Sequence, residues 1–403
     1  MFSVEQIALI VLIGAIVAIV ARRLKIPYTV GLVVAGMIVA MLPIEFELKF
    51  SKELLFKVLL PPLIFEAAIH LRWRELRKDL SPIIVYATLG VLLSASVTAS
   101  VMHFAVGWIW PAAVIFGVLI AATDPVSVIA TFKEAKVEGR LRLLVEAESL
   151  FNDSTAAVAF TAALAFGLGQ TFGIGWTAFT MLWAIAGGIS SGLVVGGLAL
   201  LIIGNTKDHL VELSMTTIAA FGSFWLAEHF ELSGILATTT AGILVGNVTL
   251  FGRITEKGEE YIENFWDFAA FIVNAVVFVI LGINVAYQGF AKSGLTILIA
   301  IIAVILGRAI AVYPCSMLFA WSSLKIERNH QHIMFWGGLR GALALALALG
   351  VPDSLPYRQE ILTVTFGVVA FSVFVQGMTM TPLLRRLGQI EQHSKAAPTP
   401  DGA

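Results

Sequence analysis

Apolar stretches of about 20 residues, the length a helix needs to cross the hydrocarbon core of a bilayer, recur along this whole chain. That repetition restricts the fold more than any single motif. Thirteen stretches are legible, near 4–21, 28–43, 54–71, 81–106, 109–131, 147–168, 176–204, 211–227, 233–250, 267–288, 293–321, 331–350 and 360–384. The loops between them are short, so nothing is left for a separate soluble domain. Charged residues make up only 13% of the 403, about half the fraction of a soluble domain. A cytoplasmic enzyme and a disordered scaffold are thereby excluded. The net charge of −1 gives no reason to expect nucleic acid as a partner. One cysteine, Cys315, rules out disulfides within the chain and a Cys-rich metal site. The expected architecture is an all-α polytopic membrane protein with about 13 transmembrane helices. A single transmembrane domain over 1–388 is expected, then a short polar cytoplasmic tail over 389–403. The first stretch is too long before Arg22 and Arg23 to read as a cleaved leader.

The basic residues orient the chain. With the N-terminus outside, only Lys49, Lys52, Lys57, Lys292 and Arg358 fall in outer loops, and Arg308 and Arg340 lie within stretches. The remaining 19 of the 26 Lys and Arg fall on the inner side. Such an excess follows the positive-inside rule. The expected location is the cell membrane, multi-pass, with the N-terminus outside and the C-terminus cytoplasmic.

Ionisable groups at membrane depth are costly and mark function. Glu66, Asp124, Glu148, Asp153, Arg308 and Arg340 all lie there, which points to a shared polar cavity. In the fifth stretch, Pro125 removes a backbone donor and pushes Asp124 out of helical geometry, so the helix should break at Thr123–Asp124. In the twelfth, Gly337, Gly338 and Gly341 surround Arg340 and weaken that helix too. Interrupted helices at matching places in two inverted halves are the sequence mark of a transporter site. The sixth stretch sets Ser149 and Asp153 on one helical face and Glu148 and Asn152 on the next. Two carboxylates, a hydroxyl and an amide form an all-oxygen ligand set suited to a hard cation. Capping acids at a helix start would explain Glu146, but Asp153 lies about two turns in. Arg308 needs an anion, and Glu148 is its expected partner. Glu66 reads either as part of the site or as an interfacial carboxylate near Arg72. Gly188, Gly192 and Gly196 predict tight helix packing.

At these residues the chain resembles a known family. Leu-Pro-Pro-Leu-Ile-Phe-Glu at 60–66, Ala-Thr-Asp-Pro-Val-Ser-Val at 122–128, Glu-Ser-Leu-Phe-Asn-Asp at 148–153, Leu-Gly-Arg at 306–308 and Gly-Leu-Arg-Gly at 338–341 look like the monovalent cation:proton antiporters. Within them the chain is similar to the NhaP-type Na⁺/H⁺ exchanger branch. The resemblance implies two inverted six-helix repeats, spans 1–6 and 8–13, with interrupted spans 5 and 12 crossing. It also implies a homodimer with an interface domain and a mobile core. Carried over, Asp153 is the cation and proton carrier. Na⁺ is held at Asp124, Ser149, Asp153 and the Thr123 carbonyl, with Glu148 and Asn152 beside it. Arg308 matches the arginine that pairs with the site glutamate, and Arg340, Glu66 and Pro125 are the further candidates for stabilising the site. Asn152 before Asp153 implies electroneutral 1:1 exchange.

The expected activity is therefore secondary transport, with Na⁺ (and Li⁺) exchanged for H⁺ by alternating access and no cofactor beyond the transported ions. The expected partners are membrane lipid, a second copy of the chain, and the two ions. Three alternatives stay open: a K⁺/H⁺ antiporter of the same fold, a passive cation channel, and an intramembrane aspartyl protease using Asp124 and Asp153. The protease lacks its Gly-x-Gly-Asp pattern.

Overall fold

The computed structural model describes residues 4–24, 26–42, 52–124, 126–135, 137–170, 173–204, 206, 208–247, 256–287, 290 and 293–389. Pro125 and the tail over 390–403, both named above, lie outside the described residues. Regular structure among the described residues is helical throughout. The helices are α1 (Val4–Leu24), α2 (Tyr28–Met41), α3 (Leu60–Ile69), α4 (Leu80–Val106), α5 (Trp110–Leu119), α6 (Val126–Ala135), α7 (Arg140–Gly167) and α8 (Ile174–Ile203). There follow α9 (His209–His229), α10 (Gly234–Gly246), α11 (Glu256–Tyr287), α12 (Gly294–Met317), α13 (Arg328–Trp336), α14 (Ala342–Leu349) and α15 (Arg358–Arg386). α3 continues a helix that begins at Lys52 and passes through a π-helical turn over Leu55–Leu59, and Pro61 and Pro62, which lack a backbone N–H, follow directly on that turn.

Among the described residues, six helices are long and apolar enough to cross a membrane by length and composition: α4, α9, α12, α15 and most of α8 and α11. The apolar helices α2, α5 and α10 are shorter. The expected fifth span is two pieces, α5 and α6, and the expected twelfth is α13 and α14. Large side chains such as Trp176, Leu182, Trp183, Leu193 and Leu198 stand exposed along α8. A soluble monomer rarely shows so large an apolar patch, whereas a lipid-facing helix requires one.

Two modes of packing organise the bundle. In the first, backbones touch through small residues. A Cβ on Gly188 would come within 2.7 Å of the Ser233 carbonyl, and one on Gly196 within 3.2 Å of the Ala241 Cα. The small-residue pattern of α8 thus seats it on α10, as expected. The crossing of α2 and α11 works the same way, with the Gly282 Cα 3.0 Å from where a Gly36 Cβ would be. A cluster around Phe65, Trp266 and Ala220 fills this side, and the buried Trp266 indole donates to the Thr216 hydroxyl at 3.1 Å. In the second mode, α4 packs against both α5 and α12, and α7 against α5. Polar side chains there meet the ends of the broken helices.

One boundary departs clearly from expectation. The helix carrying Asp153 begins at Arg140, not near 147. Arg142 donates to Glu146 at 2.7 Å one turn later, so polar residues at this end pair within the helix instead of marking its start. Asp153 therefore sits well inside α7, and no capping role accounts for it.

Candidate functional site

The gap between α5 and α6 and the gap between α13 and α14 meet. The Asp124 amide donates to the Leu339 carbonyl at 2.8 Å, joining the two irregular segments directly. Each gap leaves a C-terminal end with unpaired carbonyls and an N-terminal end with unpaired amides. These ends carry opposite partial charges.

The charged residues match those ends. Asp124 serves both N-termini. One carboxylate oxygen accepts from the Val126 amide at 3.0 Å and the other from the Ala342 amide at 3.3 Å. Val126 opens α6 and Ala342 opens α14, so one carboxylate compensates two positive helix ends. The arginines serve the opposite ends. Arg340 Nη1 donates to the carbonyls of Ala121 and Ala122, just beyond α5, at 2.8 and 3.0 Å. Arg308 donates through Nε and Nη2 to the Met334 carbonyl in the last turn of α13, at 3.2 and 2.8 Å. A Cβ on Gly341 would collide with the Asp124 carboxylate, and one on Gly338 would come within 3.0 Å of Arg308 Cδ. The glycines around Arg340 therefore supply space for these charges in addition to loosening the helix.

Glu148 completes the Arg308 environment as expected. Nη1 and Nη2 of Arg308 donate to its two carboxylate oxygens at 2.8 and 2.9 Å. Both side chains are buried, Glu148 being 2% and Arg308 6% exposed. A bidentate pair with further acceptors is the geometry in which a buried ion pair is sustained.

The oxygen-rich face of α7 lies against the first gap. The Ser149 hydroxyl donates to the Thr123 carbonyl at 2.6 Å and accepts from the Thr123 hydroxyl at 3.2 Å. The Asn152 amide donates to the Thr123 hydroxyl at 3.3 Å and to Glu148 at 3.2 Å. That leaves Asp153. It is partly buried as a residue, yet its Oδ1 is out of solvent contact and without a hydrogen-bond partner. Asn152 Oδ1 is in the same state, as are Nε and Nη2 of Arg340, a residue only 1% exposed. Asp153 interacts electrostatically with Asp124, Glu148 and Arg340.

Thr123, Asp124, Glu148, Ser149, Asn152, Asp153, Arg308 and Arg340 are thus brought together. Glu66 keeps other company. Its Oε1 lies 3.9 Å from Nδ1 of His70, whose Nε2 lies 3.9 Å from Asp267. The sequence reading missed two kinds of participant. Backbone carbonyls such as those of Ala121, Ala122 and Met334 give no sequence signal, because every residue has one. Ser372 and Gln376, which bond near Arg340, carry no charge and so did not stand out within an apolar span.

Known proteins resemble this chain over most of its length. The family model described as sodium/hydrogen exchanger, transmembrane, matches residues 8–386. The chain is 37% identical to the Na⁺/H⁺ antiporter ApNhaP of Aphanothece halophytica, over 91% of this chain and 70% of the relative. It is 35% identical to the low-affinity Na⁺/H⁺ antiporter NhaS1 of a Synechocystis strain, over 96% and 76% respectively. Its fold is similar to that of the sodium proton antiporter MjNhaP1 from Methanocaldococcus jannaschii, with a TM-score of 0.78, 19% identity, and coverage of 95% of this chain and 98% of that one. With the family match running over nearly its whole length, the chain belongs to the sodium/hydrogen exchanger family.

Proposed function

We propose that this chain is a secondary transporter that exchanges Na⁺ for H⁺, with both ions competing for the Asp153 carboxylate. The observation that carries the reading is the state of Asp153. It is a carboxylate oxygen shielded from solvent, unbonded, and set where two interrupted helices meet. Relatives matching almost the whole chain bear the name Na⁺/H⁺ antiporter. Na⁺ at this site favours the ionised carboxylate and releases the proton, while abundant protons displace the ion. Asp153 is the carrier, and Ser149, Thr123 and the Asp124 charge complete the cation's surroundings. Both oxygens of Asp124 accept backbone amides, a role in helix-end compensation that sits poorly with a proton-sharing aspartyl protease dyad. Asn152 donates to Glu148 and Thr123 and adds no second titrating group beside Asp153. That supports one proton exchanged per ion.

The finer architecture belongs to the same proposal. The helices fall within thirteen crossings, with spans 1–6 and 8–13 as inverted repeats, the N-terminus outside and the C-terminus inside. Residues 1–388 form one transmembrane domain that works as a homodimer, with a mobile core around the two gaps. The core crosses the apolar seal only when Asp153 is loaded or protonated, because an unpaired charge there costs several kcal/mol.

The test is dissipation of a pH gradient by purified protein in proteoliposomes, compared across Na⁺, Li⁺ and K⁺. Na⁺-dependent dissipation without net current is expected. Dissipation by K⁺ alone would refute Na⁺ as the ion. A steady current would refute 1:1 exchange, since the membrane potential acts on net charge with about 2.3 kcal/mol per charge per 100 mV.

A further inference from the structure

We infer that Ser372 and Gln376 on α15 are positioning residues that brace the gap between α13 and α14 and so fix Arg340 on the Ala121 and Ala122 carbonyls, next to the ion site. The inference rests on the reading of Asp153 as the shared ion site. The gap begins after Trp336 and ends at Ala342. The Gln376 amide donates to the Trp336 carbonyl at 3.4 Å, at the start of the gap. The Arg340 amide donates to the Ser372 hydroxyl at 2.9 Å, near its end. The two side chains are themselves linked, with the Ser372 hydroxyl donating to Gln376 Oε1 at 2.6 Å. A two-residue strut from another helix therefore ties together backbone groups on either side of the gap. Both residues are buried, and α15 widens into a π-helical turn over Ser372–Gly377 where they sit. Such turns concentrate at functional sites.

The strut bears on ion binding through Arg340. That side chain clamps the Ala121 and Ala122 carbonyls and interacts electrostatically with Asp153. The two clamped carbonyls directly precede Thr123, whose own carbonyl accepts from Ser149. If the Arg340 backbone loses its anchor, this stretch of the first gap is held less firmly, and the oxygens proposed to receive the cation lose their fixed spacing.

The experiment uses the full chain in proteoliposomes, with the Na⁺ dependence of exchange measured at fixed pH for Ser372→Ala and Gln376→Met. A rise of about tenfold in the Na⁺ KM is expected, with a smaller change in the maximal rate. Ser372→Thr, which keeps the hydroxyl, should restore the wild-type KM. Thr379→Val is the control. It removes the acceptor of the Trp336 indole at 2.8 Å, a contact from α15 to α13 that does not involve the gap backbone, and should leave the KM in place. Hydrogen exchange over 337–341 gives a second readout, with faster exchange expected in both strut variants. A lower maximal rate with an unmoved KM would make the pair merely structural and overturn the inference, as would unchanged hydrogen exchange over 337–341. Persistent exchange in Asp153→Asn would instead sink the site reading, a separate outcome.

Discussion

Two regions of this molecule solve the same problem in opposite ways. Backbone amides and carbonyls inside a membrane must be satisfied by the protein. Where α8 packs on α10, each helix satisfies its own, and Gly188, Gly192 and Gly196 let the two approach with no charged group between them. Where α5–α6 crosses α13–α14, the helices stop short. Their ends are satisfied by Asp124, Arg308, Arg340, Ser372 and Gln376. The first arrangement holds the helices together through small residues alone. The second accumulates charges that must balance one another, and Asp153 is left with an unbonded oxygen among them. Continuous helices make a wall, and interrupted ones make a site.

The largest expected effect lies at that oxygen. Asp153→Asn removes the titrating group while keeping its shape, and should abolish Na⁺/H⁺ exchange in proteoliposomes with the fold intact by thermal unfolding in detergent. Residual exchange at more than a few per cent of the wild-type rate would break the contrast between wall and site. Next comes the buried pair. Glu148→Gln leaves Arg308 with one uncompensated buried charge, a loss of about 3–5 kcal/mol by the cost of breaking such pairs. A denaturation midpoint that hardly moves would mean that water reaches the pair. Replacing both members at once, as Glu148→Leu with Arg308→Met, should cost less stability than either single change, although the C-terminal end of α13 then loses its cap.

Glycine substitutions sharpen the comparison because the same added methyl group meets different surroundings. In Gly341→Ala the Cβ runs into the Asp124 carboxylate, and in Gly192→Ala it runs into the Ala237 main-chain carbonyl, with the Thr240 Cβ at 2.7 Å. Overpacking of either kind costs about 1–3 kcal/mol. Gly341→Ala should also slow exchange per folded molecule, because Asp124 must move off the α14 amide. Gly192→Ala should lower only the yield or the unfolding temperature. Equal loss of specific activity in both would show that the α8–α10 contact takes part in the transport cycle.

How far these features could be read from sequence depends on what each one costs. A charge at membrane depth is expensive, so Asp124, Glu148, Asp153 and Arg308 announce themselves, and the Arg308–Glu148 pair follows from needing an anion. Pro125 similarly announces a break, and the described residues 120–124 after α5 are not helical. Neutral polar groups are cheap by comparison, and Ser372 and Gln376 pass for ordinary residues until their partners are seen. Arg340 was legible as a charge but not in its role, since its acceptors are main-chain carbonyls. The start of α7 at Arg140 was hidden because Arg142 and Glu146 look like a loop, when they are an i,i+4 pair on a helix. Glu66 was visible as a charge, and His70 lies one turn on from it, but Asp267 sits on α11, which sequence alone does not bring to this end of α3.

The smallest expected effect tests what covers the wall. Leu193 on α8 is half exposed, in line with Trp183, Leu198 and other uncovered apolar side chains. Lipid tails are as apolar as leucine, so burial against them gives a side chain no preference for one neighbour over another. If lipid lies there, Leu193→Ala trades one apolar contact for another and should change stability by no more than about 0.5 kcal/mol, the ordinary range for a surface position. A second copy of the chain packed on the same face would replace fluid lipid with fixed side chains. The truncation would then open a cavity that the partner cannot fill, at a cost of about 2–5 kcal/mol for a leucine, and the loss should grow as the protein is diluted in detergent. A concentration-independent change near zero assigns this stretch of α8 to lipid and places any contact between copies elsewhere.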